Sequence, residues 1–160
     1  MLKVNVICIG RLKEKYLTDA CAEYIKRLSA FCSLHVYELP EAKASSTPSA
    51  SDIEKVLCEE GKAIISKIPE RSAVISMCIE GQKMSSEQLS RHISSLGVSG
   101  FGSVTFIIGG SWGLSDEVKA RSDLRLSMSD MTFPHQLARV MLLEQIYRAF
   151  MIASGGKYHK

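Results

Sequence analysis

Five short runs of apolar, largely β-branched residues alternate along this chain with stretches whose apolar residues recur at helical spacing, and no other feature constrains the fold as strongly. The runs cover residues 4–9, 34–39, 73–79, 104–108 and 124–128. The first, third and fourth are almost unbroken in apolar residues, as parallel strands are when both faces are covered. Five β–α units in 160 residues predict an α/β fold, a mainly parallel sheet with helices on both faces, and a single domain spanning residues 1–160.

The intervening helices announce their starts. Leu17, Cys21, Tyr24 and Leu28 form one apolar stripe. Ser51-Asp52-Ile53-Glu54 reads as a capping box opening a second helix whose stripe includes Ile53, Val56, Leu57, Ile64 and Ile68. Ser85-Ser86-Glu87-Gln88 reads as another, ahead of Leu89, Ile93 and Leu96. A short fourth helix is predicted from Ser115, with Asp116 and Glu117 at its positive end. A fifth begins near Pro134, a residue suited to a first helical turn. Its apolar residues, from Leu137 through Val140, Met141, Leu142, Leu143, Ile146, Tyr147 and Phe150 to Met151, cover more than one face. A helix of that kind is either central to a monomer or shared with a second subunit; at the end of so small a domain, a homodimer is the expectation. The segment at 40–51, rich in serine, alanine and proline, reads as a flexible connection too short to divide domains.

Several classes drop out. No stretch approaches the roughly 18 consecutive apolar residues of a membrane span. The start, Met1 to Ile7, lacks the apolar core and cleavage site of a secretory signal, so a cytoplasmic location is expected. The five cysteines, Cys8, Cys21, Cys32, Cys58 and Cys78, include no C-x-x-C pair, and the four histidines are scattered; neither a metal site nor a disulfide framework is expected. A formal net charge of +3 is compatible with an acidic partner without requiring one.

In an open parallel sheet, ligands bind beyond the carboxyl ends of the strands. Three loops fall there: Ile79-Glu80-Gly81-Gln82, Gly109-Gly110-Ser111-Trp112-Gly113-Leu114, and Ser129-Asp130-Met131-Thr132-Phe133-Pro134-His135. The glycine loop is neither a dinucleotide fingerprint, which belongs after the first strand, nor a Walker loop, since no G-K-[ST] occurs. The third loop could hydrogen-bond a flat heterocycle through its backbone while Met128, Met131 or Phe133 pack on its faces. Arg139 and Arg148 flank Glu144 on the fifth helix, where pairing with the carboxylate competes with phosphate or RNA binding. His135 reads as a capping or core residue. The tail carries Tyr158 and His159 between Lys157 and Lys160, a mixture that suits an unstacked base and its phosphates, although fraying is the usual fate of such a terminus.

Taken together, the segments Phe106 to Leu114, Met131 to Arg139, Leu143 to Ala149 and the final Tyr158-His159-Lys160 resemble the ribosomal RNA methyltransferases of the SPOUT class, over essentially the whole chain. The resemblance implies a fold whose C-terminal part forms a deep trefoil knot, a homodimer, and S-adenosyl-L-methionine bound in the knot. It implies transfer of a methyl group to N3 of a pseudouridine in the helix 69 loop of 23S rRNA, with the assembled ribosome as substrate. Carried over by motif, the cofactor contacts fall at Met77, Gly109, Met128, Ser129, Asp130, Met131, Thr132 and Phe133. Because the imide proton at N3 must leave, a base or anion-stabilising group is needed, and the candidates are Tyr158, His159 and Arg148, acting in their own subunit or in its partner. Trp112 receives no role. The alternatives are a non-catalytic ribosome-binding factor of the same fold and, on architecture alone, a flavin- or nucleotide-binding domain.

Overall fold

A computed structural model describes residues 1–160. Ten elements follow in order: β1 (Leu2–Ile9), α1 (Lys15–Leu28), β2 (Cys32–Leu39), α2 (Ala50–Lys67), β3 (Ser72–Lys83), α3 (Ser86–Val98), β4 (Ser103–Ile108), α4 (Asp116–Arg121), β5 (Leu124–Ser127) and α5 (His135–Ala153). The strands form one sheet in the order β2-β1-β4-β3-β5, and every pairing is parallel. The expected α/β architecture is the observed one.

Period-two alternation sorts the strand side chains between two cores. Val4, Val6 and Cys8 of β1, with Val104, Phe106 and Ile108 of β4, face a core closed by Leu28 of α1, Ile93 of α3, and Leu142, Leu143 and Ile146 of α5. Ile7, Ile9 and Ile107 face the opposite core, closed by Ile64 of α2 and Val118 of α4. β1, β4 and β3 are thus covered on both sides, which is why their sequences are almost wholly apolar. Helices α3 and α4, which follow the adjacent strands β3 and β4, lie on opposite faces. The chain diverges there and leaves a crevice beyond the strand ends.

Two local expectations change. The third strand does not stop at residue 79 but runs to Lys83. Its pairing with β5 breaks register, Met77 and Gln82 both lying opposite Leu126, so residues 78–81 bulge out between them. Gly81 permits this, since a Cβ there would lie 2.7 Å from the backbone of Arg125. The second correction concerns the start of α2. Its cap is Ser49, whose hydroxyl accepts from the Asp52 amide while the Asp52 carboxylate accepts from the Ser49 amide. Ser51 already lies within the helix; only the residue with extended backbone can turn its oxygen onto the third amide, and that residue is Ser49. The other starts hold: Ser85 and Gln88 form a reciprocal box, and Ser115 caps α4. At α5, Pro134 is the cap residue itself, with His135 the first in the helix.

This placement makes a differential prediction. Ser49→Ala should lower unfolding stability by about 1 kcal/mol, whereas Ser51→Ala, inside the helix, should change it by less than about 0.5 kcal/mol. Urea denaturation of the two variants checks it; equal losses would return the cap to Ser51.

Candidate functional site

The crevice beyond β3, β4 and β5 opens into a cavity of about 700 Å³, within the usual range for a small-molecule site. Its walls come from the bulge (Met77, Cys78, Ile79), the glycine loop (Gly109 to Gly113), and the segment from Met128 to His135 without Asp130. The bulge in β3 turns Cys78 and Ile79 to the cavity. It is braced by Glu80, whose carboxylate lies 2.5 Å from Lys119 Nζ on α4; that bond holds the carboxyl below the usual range.

The glycine loop doubles back on itself, with the Gly113 amide donating to the Gly110 carbonyl at 3.1 Å. A Cβ at Gly109 would lie 2.5 Å from the Gly113 carbonyl oxygen, and one at Gly110 would lie 3.0 Å from Ile9 and 3.2 Å from Glu60. Gly113 adopts a φ of +85° with open space around it. The glycines at 109 and 110 therefore serve close packing, while that at 113 serves conformation. Behind the loop, Glu60 of α2 is only 6% exposed; its Oε2 accepts from the Ala42 amide at 3.0 Å, and its Oε1 has no partner. Burial pushes this carboxyl up, the Ala42 amide opposes the shift, and the nearby carboxyls of Glu41 and Glu59 add to it.

Seven of the eight residues expected at the cofactor site line the cavity: Met77, Gly109, Met128, Ser129, Met131, Thr132 and Phe133. Asp130 is the exception, its side chain turning outward to Lys83 Nζ at 2.5 Å. Trp112 and His135 line the cavity too, the latter with Nε2 3.7 Å from Glu41. Arg139 is not available to a ligand. It is 3% exposed, and it donates to Glu38 at 2.6 Å and to the Gly10 carbonyl at 3.1 Å.

Tyr158, His159 and Arg148 form a separate cluster. Arg148 donates through Nε and Nη2 to Glu144 Oε1, at 2.9 and 2.5 Å, and Tyr158 donates to the same oxygen at 3.1 Å. The Arg148 guanidinium lies over the Tyr158 ring. Arg148 Nη1 is 3.2 Å from His159 Nδ1, and His159 Nε2 is 2.7 Å from Glu87 Oε1. A guanidinium only donates, so Nδ1 accepts and Nε2 carries the proton given to Glu87. Burial, then the bond to Glu144, push the Tyr158 phenol up to about 12. At neutral pH it is a donor and not a base. In this pose His159 has no free lone pair for a substrate proton.

None of the three residues lines the first cavity. Glu144 lines a second one of about 480 Å³, which shares Leu126 and Met128 with the first. Only a short apolar partition therefore separates the binding cavity from the groove beside the cluster. No group of three or more histidine, cysteine or acidic side chains stands close enough to hold a metal ion, and no helix is long and apolar enough to cross a membrane.

Comparison with known proteins bears on this geometry. Residues 2–159 match the family model described as Predicted SPOUT methyltransferase. Among curated proteins, a Clostridium perfringens (strain SM101) protein named ribosomal RNA large subunit methyltransferase H 1 is 49% identical over 159 residues, covering 99% of this chain and all of that protein. Proteins named ribosomal RNA large subunit methyltransferase H from Clostridioides difficile (strain 630) and Streptococcus suis (strain 05ZYH33) are 48% and 47% identical over the same length. A solved structure titled a probable methylase family protein from Haemophilus influenzae Rd KW20 superposes with a TM-score of 0.55 over this whole chain and 72% of that one; at 12% identity it speaks to the fold alone. The chain belongs to the SPOUT methyltransferase family, and it is an enzyme of that class.

The two kinds of glycine can be told apart. Gly109→Ala should abolish ligand binding in the cavity and lower stability, because its Cβ meets backbone. Gly113→Ala should cost only about 1 kcal/mol, the price of a left-handed φ for a residue with a Cβ. Thermal unfolding and ligand titration of both variants check this, and equal tolerance would contradict the packing at Gly109.

Proposed function

We propose that this enzyme transfers a methyl group from S-adenosyl-L-methionine to N3 of a pseudouridine in the helix 69 loop of 23S rRNA, within the assembled ribosome. The observation that carries the reading is the match, over full length and at nearly half identity, to proteins named for methylating large-subunit ribosomal RNA. It is joined to a cavity with the size and lining an adenine nucleoside needs: apolar walls at Met77, Leu126, Met128 and Phe133, and exposed backbone from the glycine loop. A ribosomal substrate accords with a cytoplasmic location and with the net positive charge.

When bound, S-adenosyl-L-methionine supplies a methyl group on a sulfonium centre, already activated, so that positioning accounts for much of the rate. The glycine loop and residues 128, 129 and 131–133 would hold the nucleoside portion, and the apolar walls would keep water from the reacting centre. With that group bound, methylation at N3 would require the N3 proton to pass to a base or to solvent. His159 takes that proton only after leaving Arg148, because its acceptor nitrogen is otherwise occupied. Tyr158, whose one hydroxyl proton is given to Glu144, and Arg148 likewise reach the base or its phosphates only by leaving Glu144.

A homodimer brings these parts together. Leu137, Val140 and Met141 on α5 are incompletely covered, and Val140 and Met141 line the second cavity with Tyr24. A second copy seated there covers apolar surface and carries its own tail toward the first cavity. Tyr147 and Phe150, by contrast, pack on Phe31 of their own chain, so they are poor probes of the dimer. Met141→Asp should raise the dimer dissociation constant at least about tenfold; sedimentation showing an intact dimer would refute this face.

The activity test uses ribosomes lacking the modification, labelled S-adenosyl-L-methionine and the purified protein. Label in the helix 69 region of 23S rRNA is expected, and no transfer would overturn the proposal in favour of a non-catalytic ribosome-binding factor. Deleting Tyr158 to Lys160 should lower kcat about 100-fold or more while leaving cofactor affinity within about twofold. Equal loss of both would make the tail structural.

A further inference from the structure

Glu60 lies outside the binding cavity, and nothing in the methyl-transfer chemistry requires it. It is nevertheless a buried carboxyl with one oxygen left unbonded. An unsatisfied buried polar atom is costly and rarely accidental. Its surroundings say what it touches. Oε2 is fixed by the Ala42 amide, in the segment joining β2 to α2. Oε1 stands 3.2 Å from where a Cβ of Gly110 would be, so the carboxyl rests against the back of the glycine loop. The neighbouring residue works the same surface: a Cβ at Gly61 would lie 2.4 Å from Ser115 Oγ, the cap of α4 immediately after that loop. One turn of α2 therefore bears on both ends of the segment 110–115, on the side opposite the cavity.

We infer that Glu60 is a positioning residue for the cofactor site, a wedge that sets how far the glycine loop projects into the cavity. The inference rests on the proposed binding of S-adenosyl-L-methionine in that cavity. The wedge works through shape and one accepted hydrogen bond. The Ala42 amide holds the carboxyl plane, and the unbonded oxygen blocks retreat of the Gly110 backbone toward α2. Removing the side chain leaves a void into which the loop relaxes, withdrawing its backbone from the cavity wall. Burial favours the neutral acid here, so the isosteric amide is the conservative replacement.

The experiment is a double-mutant cycle on the full-length protein, measured by calorimetric titration with S-adenosyl-L-methionine. Glu60→Ala should weaken binding about tenfold or more, and Glu60→Gln should stay within about twofold of the parent. Gly110→Ala should weaken binding by pushing the loop off Ile9 and Glu60. Combined with Glu60→Ala it should cost less than the product of the two single effects, because the new methyl occupies vacated space. Multiplicative losses, or a Glu60→Ala protein that binds as tightly as the parent, would overturn the inference. If Glu60→Ala does not fold, Glu60→Asp replaces it in the cycle, since it keeps the acid but withdraws it by one methylene. Hydrogen exchange without ligand provides an independent readout. Glu60→Ala should speed exchange at Gly110 and Ser111 while leaving the β1 and β4 amides protected, and uniform or unchanged exchange would count against the wedge. Failure of the parent to bind would refute the cofactor reading, and the exchange data would still decide the role of Glu60.

Discussion

The geometry of the site depends on how closely the backbone at Gly109 approaches the carbonyl of Gly113. That approach folds the chain back within five residues of the end of β4, and it brings Gly109 to Gly113 into the wall of the cavity. It starts from β4, which is buried on both faces between β1 and β3. The two cores on either side of β4 fix where this short turn begins, and the bulge in β3 supplies the facing wall.

Much of this was legible in the residues. The apolar continuity of β1, β3 and β4 reports burial on both faces, so the sheet could be read with little error. The serine caps at 85 and 115 stand where their side-chain chemistry requires. The cap of α2 was misread because Ser49 and Ser51 are chemically alike, and only the backbone angles choose between them. The bulge at 78–81 was invisible because it depends on register with β5, a partner distant in sequence. The expectation of a knot rests on family resemblance alone; no local pattern encodes the threading of a chain.

The site was legible unevenly. Glycines at 109, 110 and 113 advertise themselves, and with the residues from Met128 to Phe133 they mark the cavity. At Gly109 the missing Cβ spares the loop's own backbone at Gly113. Glu60 gave no signal, because a lone glutamate on a helix looks like any surface carboxylate until the fold buries it. The tail residues were identifiable as a set, but their network with Glu144 and Glu87 could not be read from spacing: Glu87 lies on α3, far from the tail in sequence. That network ties up the one nitrogen on His159 able to accept a proton. Catalysis by this residue therefore implies that the tail exchanges partners.

On the function proposed above, the cavity beyond β3, β4 and β5 is where the methyl donor binds. Backbone amide shifts followed by NMR during titration with S-adenosyl-L-methionine test it most directly. The largest perturbations are expected at residues 77–80, 109–114 and 128–135, with the strand interiors unmoved. Perturbations centred on residues 84–89 and 140–145, around the second cavity, would contradict it.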